Sequence, residues 1–198
     1  MEREILLTGI GGQGVQLAAN VLAHATLEEG REVQVFGSYG GMMRGGNTDA
    51  ALVLADQPIE SPPTVTSAWA AVLLHPEYAD AALVRVRSDG LVLRNRSLWS
   101  GELERPDLVV VDVAATDLAV ECGGVMAASM VMLGALATLT GLVTIETLCA
   151  GVRACVPPYR QQHLELNDRA VRAGAQSVAA SRTHEAWSST PALRGSGT

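Results

Sequence analysis

An α/β fold is expected: a three-layer αβα sandwich with a largely parallel sheet and helices gathered toward the C-terminus. Three observations predict it. Ile5-Leu6-Leu7 is a short apolar run, Gly9, Gly11, Gly12 and Gly14 crowd the turn after it, and Val15, Ala18, Ala19, Leu22, Ala23 and Leu27 recur at helical spacing behind. Val109–Val111 is a β-branched run unbroken by polar residues, the pattern of a strand buried on both faces of a parallel region. From Ala114 onward the apolar residues return with helical spacing. Strand, glycine turn and helix is how an open α/β sheet begins. Ligands bind at such a turn, because backbone N–H groups at a helix N-terminus carry partial positive charge.

Taken in order, the first strand and helix lead to a second strand over Glu32–Phe36. Gly37–Asn47 holds five glycines in eleven positions, too many for a helix or strand, so a loop is expected. Tyr39, Met42, Met43 and Arg44 are large side chains on that loop. They suit contact with a ligand or another subunit, with Arg44 aimed at an anion. Thr48–Ala55 reads as a strand, Asp56-Gln57-Pro58 as a turn, and Ile59–Pro63 as an extended segment, since Pro62 and Pro63 donate no ladder hydrogen bond. Trp69–Leu74 is the next buried strand, followed by a short helix over Glu77–Leu83. Leu91–Leu93 and Leu108–Val113 are the last strands. Helices are expected over Ala114–Glu121, Ala127–Leu139, Thr144–Val156 with Thr144 as N-cap, and Arg160–Ala180. Pro157-Pro158 stops the third of these. Residues 1–181 form one expected domain, and 182–198, rich in Ser, Thr, Pro and Gly, a disordered tail.

Composition excludes several functions. With 198 residues at 48% hydrophobic content, a sizeable core is available, and with aromatics at only 4% it must be built from Ala, Val and Leu. A net charge of -7 argues against broad nucleic-acid binding. All 14 basic residues are Arg. Lysine Schiff-base chemistry and a Walker-type phosphate loop are therefore impossible, and any anion must be held by Arg or backbone N–H groups. The longest apolar stretch, Val125–Leu142, is interrupted by Ser, Thr and Gly, so no membrane span is expected. Cys122, Cys149 and Cys155 have no paired spacing and no basic, apolar leader opens the chain, which together predict reduced thiols in a cytoplasmic protein. His24, His75, His163 and His184 are scattered, no nucleophile elbow or zinc-protease motif occurs, and no catalytic residue or metal site is assigned.

The turn Gly9-Ile10-Gly11-Gly12-Gln13-Gly14 matches a dinucleotide fingerprint, yet no Asp or Glu ends the second strand to hold the ribose. Its glycines fit a phosphate-bearing ligand, a partner chain, or simply a tight turn. Beyond this, G-I-G-G-Q-G-V at Gly9–Val15, Tyr39, and Arg44-Gly45-Gly46 before a strand resemble, in order, the gamma subunit (a domain III-like unit) of 2-oxoacid:ferredoxin oxidoreductases. Asp56-Gln57-Pro58-Ile59, Met132-Leu133-Gly134-Ala135, Gly141-Leu142-Val143 and Asn167–Gly174 extend the resemblance over Glu4–Gly174, although Gly40–Met43 replaces the family's usual acid-bearing segment. The resemblance implies an accessory subunit, inactive alone, of a complex that decarboxylates a 2-oxoacid, such as pyruvate or 2-oxoglutarate, and passes the acyl group to coenzyme A and electrons to ferredoxin. Thiamine pyrophosphate, Mg and iron–sulfur clusters would belong to alpha, beta and iron–sulfur partner subunits. This chain would help enclose coenzyme A through Gly9, Gly11, Gly12, Gln13, Gly14, Tyr39, Arg44, Gly45 and Gly46. The alternatives are a stand-alone NAD- or flavin-binding oxidoreductase and a non-catalytic scaffold.

Overall fold

The computed structural model describes residues 1–39, 45–60, 64–178 and 184–187. Its centre is a six-stranded sheet in the order β2-β3-β1-β4-β5-β6. Strand β1 (Glu2–Ile10) runs parallel to β4 (Ala68–Leu73), which runs parallel to β5 (Val86–Asn95), itself parallel to β6 (Val109–Val113). On its other side β1 pairs antiparallel with β3 (Asn47–Ala55), and β3 antiparallel with β2 (Glu32–Tyr39). Chain length explains the change of direction. A parallel return needs a crossover of a dozen or more residues, and 40–46 are too few.

The two faces of the sheet are covered unequally. Helices α1 (Val15–Glu28), α3 (Ala115–Glu121), α4 (Ala128–Thr140), α5 (Ile145–Cys155) and α6 (Leu164–Ser177) share one core with Ile5, Leu7, Leu52, Leu54, Val72, Leu91 and Leu93. The alternate residues Leu6, Val53, Ala71, Leu73 and Val92 point the other way. Among the described residues they meet the five-residue α2 (Ala79–Leu83) and flanking segments. The sandwich has three layers, one of them thin.

Helix α4 is apolar all round and buried along nearly its whole length, because α6 packs on the side away from the sheet. That packing is close enough to need glycines. A Cβ on Gly134 would lie 1.9 Å from the Val171 carbonyl oxygen, and one on Gly174 would lie 1.9 Å from that of Val131. Thr144 caps α5 as expected, its hydroxyl accepting from the Thr147 N–H at 3.1 Å.

Three expectations are corrected. The strand containing Val109–Val111 is parallel but is the sheet's edge strand, and Val109 is 37% exposed; an edge strand has no neighbour to bury its outer side. The last helix begins at Leu164, after a 3-10 stretch over Pro158–His163, and ends at Ser177. Within the expected tail, residues 184–187 are packed against the domain. Ala186 is fully buried, its N–H donating to the Thr140 carbonyl at 2.8 Å and its carbonyl accepting from Arg3 Nε at 2.7 Å. Trp187 Nε1 donates to the Leu142 carbonyl at 2.9 Å beneath the Arg31 guanidinium, and the His184 ring lies 4.8 Å from that of Trp69. A Trp and a His can repay their ordering by burial where Ser and Gly cannot. Pro62 and Pro63 of the extended segment lie outside the described residues.

Candidate functional site

At the carboxyl end of β1 the chain turns sharply through Gly11, Gly12 and Gln13 into α1. Gly12 (φ 106°) and Gly14 (φ 78°) occupy the left-handed region that side-chain-bearing residues rarely adopt. Gly14 is also the N-cap of α1, and it brings no side chain to cap the helix; the first turn holds no acidic residue. The first N–H groups of this fourteen-residue helix therefore remain available to a ligand. The turn is held from below by Gln13, whose Oε1 accepts from the Ile10 N–H at 2.9 Å while Nε2 donates to the Leu74 carbonyl at 3.4 Å. It is tied sideways by the Gly11 N–H, which donates to the Gly46 carbonyl at 2.9 Å.

This last bond brings two of the expected stretches together. Gly11, Gly12, Gly14, Gly45 and Gly46 form one wall of an open cleft of about 1060 Å³, with Gln16 and Asn20 of α1 beside them. Gly9 and Gln13 do not line it. Gly9 sits inside β1 opposite Thr48, where a Cβ would strike Gln13 Oε1 at 2.6 Å, so both residues build the turn from behind. Tyr39 ends β2 opposite Thr48, but its side chain, like the whole of Arg44, lies outside the described residues.

The rest of the lining was not anticipated. It comes from Gly123, Gly124 and Met126 between α3 and α4, from Cys155–Pro157 at the end of α5, and from Arg160, His163, Leu166 and Asn167. Among the described residues lining the cleft there is no Asp or Glu, although the chain carries a net charge of -7. Among the described residues, its basic side chains are Arg160 and His163. An anion is the ligand such a lining tolerates.

Other chemistry is poorly provided for. Burial pushes the Cys149 and Cys155 thiols up, the reverse of what a nucleophile or metal ligand needs. His75 Nδ1 accepts from the Glu77 N–H at 3.3 Å, which caps the 3-10 turn ahead of α2. Among the described residues no three His, Cys, Asp or Glu side chains converge, so this donor set does not fit an iron–sulfur cluster. The place that a parallel second strand holds in a dinucleotide domain is taken here by antiparallel β3. No helix among the described residues is long and apolar enough to cross a membrane.

Residues 4–177 match the family model described as pyruvate ferredoxin/flavodoxin oxidoreductase. The chain belongs to that family. It is 34% identical over 156 residues to the pyruvate synthase subunit PorC of Methanothermobacter thermautotrophicus, covering 78% of this chain and 85% of that one. To the 2-oxoglutarate synthase subunit KorC of Methanocaldococcus jannaschii it is 32% identical over 160 residues, covering 79% and 85%. Among solved structures it is similar to the keto/oxoacid ferredoxin oxidoreductase gamma subunit of Geobacter sulfurreducens, with a TM-score of 0.77 and 27% identity over 89% of this chain and 96% of that one. The protein is thus a gamma-type subunit of the 2-oxoacid:ferredoxin oxidoreductases. The same fold recurs in the 2-oxoglutarate:ferredoxin oxidoreductase of Magnetococcus marinus, with a TM-score of 0.82 at 17% identity; the match covers 96% of this chain and 33% of that one.

Proposed function

We propose that this gamma subunit works inside an assembled, cytoplasmic 2-oxoacid:ferredoxin oxidoreductase, and that its glycine cleft helps enclose coenzyme A beside a thiamine site. The complex would oxidise a 2-oxoacid and coenzyme A to an acyl-CoA, carbon dioxide and a proton, sending two electrons to ferredoxin. Alpha, beta and iron–sulfur subunits would supply thiamine pyrophosphate, Mg and the clusters. The chain alone would turn over nothing.

One observation carries the reading: Gly11, Gly12 and Gly14 meet Gly45 and Gly46, far apart in sequence, in a single wall beside the uncapped N-terminus of α1. Backbone N–H groups with no side chains over them suit the diphosphate of coenzyme A. The Magnetococcus marinus enzyme, which shares the fold, was solved with 2-oxoglutarate, coenzyme A and succinyl-CoA bound. Gly9 and Gln13 would shape the wall, and Tyr39 and Arg44 would belong to the same contact surface. The test is to purify the chain with its native partners and compare wild type with Arg44→Ala. Co-purifying thiamine-binding subunits and a raised KM for coenzyme A are expected. A lone chain that oxidises a 2-oxoacid, or holds NAD or flavin tightly, would overturn the proposal.

A further inference from the structure

Arg160 and His163 line the same cleft as the glycines. Both belong to the 3-10 stretch Pro158–His163, where three residues make one turn, so positions three apart share a face.

What marks Arg160 is the contrast with its neighbours. Arg153 pairs with Asp168 at 2.8 Å, Arg172 with Glu146 at 4.0 Å, and Arg169 donates to the Cys122 carbonyl at 2.8 Å. Each arginine of α5 and α6 is thus occupied within the fold. The Arg160 guanidinium has no hydrogen bond or ion pair among the described residues and rests 5.5 Å from the exposed ring of Tyr159. The local sequence keeps it so: between Glu146 and Glu165 no Asp or Glu occurs. Two basic side chains on one face, in a cleft whose described lining holds no carboxylate, offer an anion a second place beside the glycine wall.

Coenzyme A carries two separated anionic groups, a diphosphate and a 3′-phosphate monoester. We infer that Arg160 and His163 hold the 3′-phosphate while the glycine wall faces the diphosphate. The inference rests on the proposed function and assigns a second set of residues in the same cleft. It makes Arg160 a specificity residue, because a guanidinium grips a phosphate through two parallel N–H donors that Lys cannot reproduce.

The experiment uses the assembled complex and two thiol substrates, coenzyme A and 3′-dephospho-coenzyme A. The wild type is expected to prefer coenzyme A by about tenfold in KM, the size of one charge-assisted contact. Arg160→Ala should erase that preference by weakening coenzyme A alone, and Arg160→Lys should restore only part of it. Thermal melting of each variant chain checks that the fold is kept. A preference that survives Arg160→Ala, or an equal loss for both substrates, overturns the assignment. Gly12→Ala separates the two levels. If it changes the KM for coenzyme A while Arg160→Ala does not alter the preference, the Arg160 assignment is wrong and the cleft stands; if neither has an effect, the cleft reading falls with it.

Discussion

Glycine does two different jobs in two regions of this molecule. Between α4 and α6, Gly134 and Gly174 are glycines because a carbonyl of the facing helix fills the place of a side chain, at 1.9 Å from where each Cβ would stand. At the cleft, no described residue lies within 4 Å of where a Cβ of Gly12 or Gly45 would stand, yet both have positive φ. The first pair is required by crowding and the second by backbone shape. Gly14 answers to both, since a Cβ there would approach Ser129 Oγ at 2.8 Å and its φ is 78°. A glycine needed for packing is a statement about stability. A glycine with open space above it leaves room for something that is not part of the chain.

Substitution can break this distinction. Gly134→Ala and Gly174→Ala should have the largest effects, because neither carbonyl can retreat without moving its helix. Each is expected to cost about 3 kcal/mol, enough to lower Tm by roughly 10 °C in a domain of this size. A melt within a degree or two of wild type would show that the helices slide apart freely. Gly14→Ala should come next, at about 2 kcal/mol from strain and contact together. Its contact share is separable. Ser129 Oγ is buried with no partner among the described residues, so Ser129→Ala costs little by itself. In that background Gly14→Ala should be milder by about half, leaving only the strain of the left-handed backbone. Equal costs in the two backgrounds would mean that the hydroxyl is not in the way.

The elements most legible in sequence were those whose reasons are local. The first strand, its glycine turn and α1, the strand over Thr48–Ala55, and the cap at Thr144 follow from periodicity and capping within a few residues. The position of the last strand was not legible. A run of valines reads alike in a central or an edge strand, and only sheet order tells that Val109 has no outer neighbour. The packing of 184–187 was hidden for a similar reason, since Ala186 and Trp187 find Arg3, Arg31, Thr140 and Leu142 through the fold. Half of the cleft was legible and half was not. Its glycine wall announces itself by composition, whereas Arg160 and His163 arrive from a segment more than a hundred residues away. The acid-free interval between Glu146 and Glu165 was the one signal that could have pointed to them.

Gly12→Ala sharpens the contrast from the cleft side. With φ at 106° and open space around it, it should destabilise by about 1 kcal/mol, all of it backbone strain. If the glycine wall faces coenzyme A, the KM for that substrate should rise far more than so small a loss of stability explains. A KM that moves only as far as the melt does would return Gly12 to the class of ordinary turn glycines.

The smallest effect concerns the far end of the sheet, where side chains, not glycines, make the fit. Burial lowers the pKa of His184 from its ordinary value, and the Arg3 and Arg87 charges lower it further, against a weaker opposing pull from Asp89. Trp69 stacks on its ring, and its Nε2 is buried with no partner among the described residues. The unfolded chain, with an imidazole near pKa 6.5, therefore binds a proton more readily than the native one. This share of stability is complete above the ordinary histidine range and is lost as pH falls below about 6.5 toward the lowered folded value. His184→Phe keeps a ring against Trp69 and cannot take a proton. The variant should lose less Tm than wild type between about pH 7.5 and about pH 5.5, with the preference of the assembled complex for coenzyme A over its dephospho form unchanged. Identical pH profiles would mean that His184 is already free to charge in the native state. A changed preference would mean that the two ends of the sheet are coupled, and the division between packing end and binding end would have to be given up.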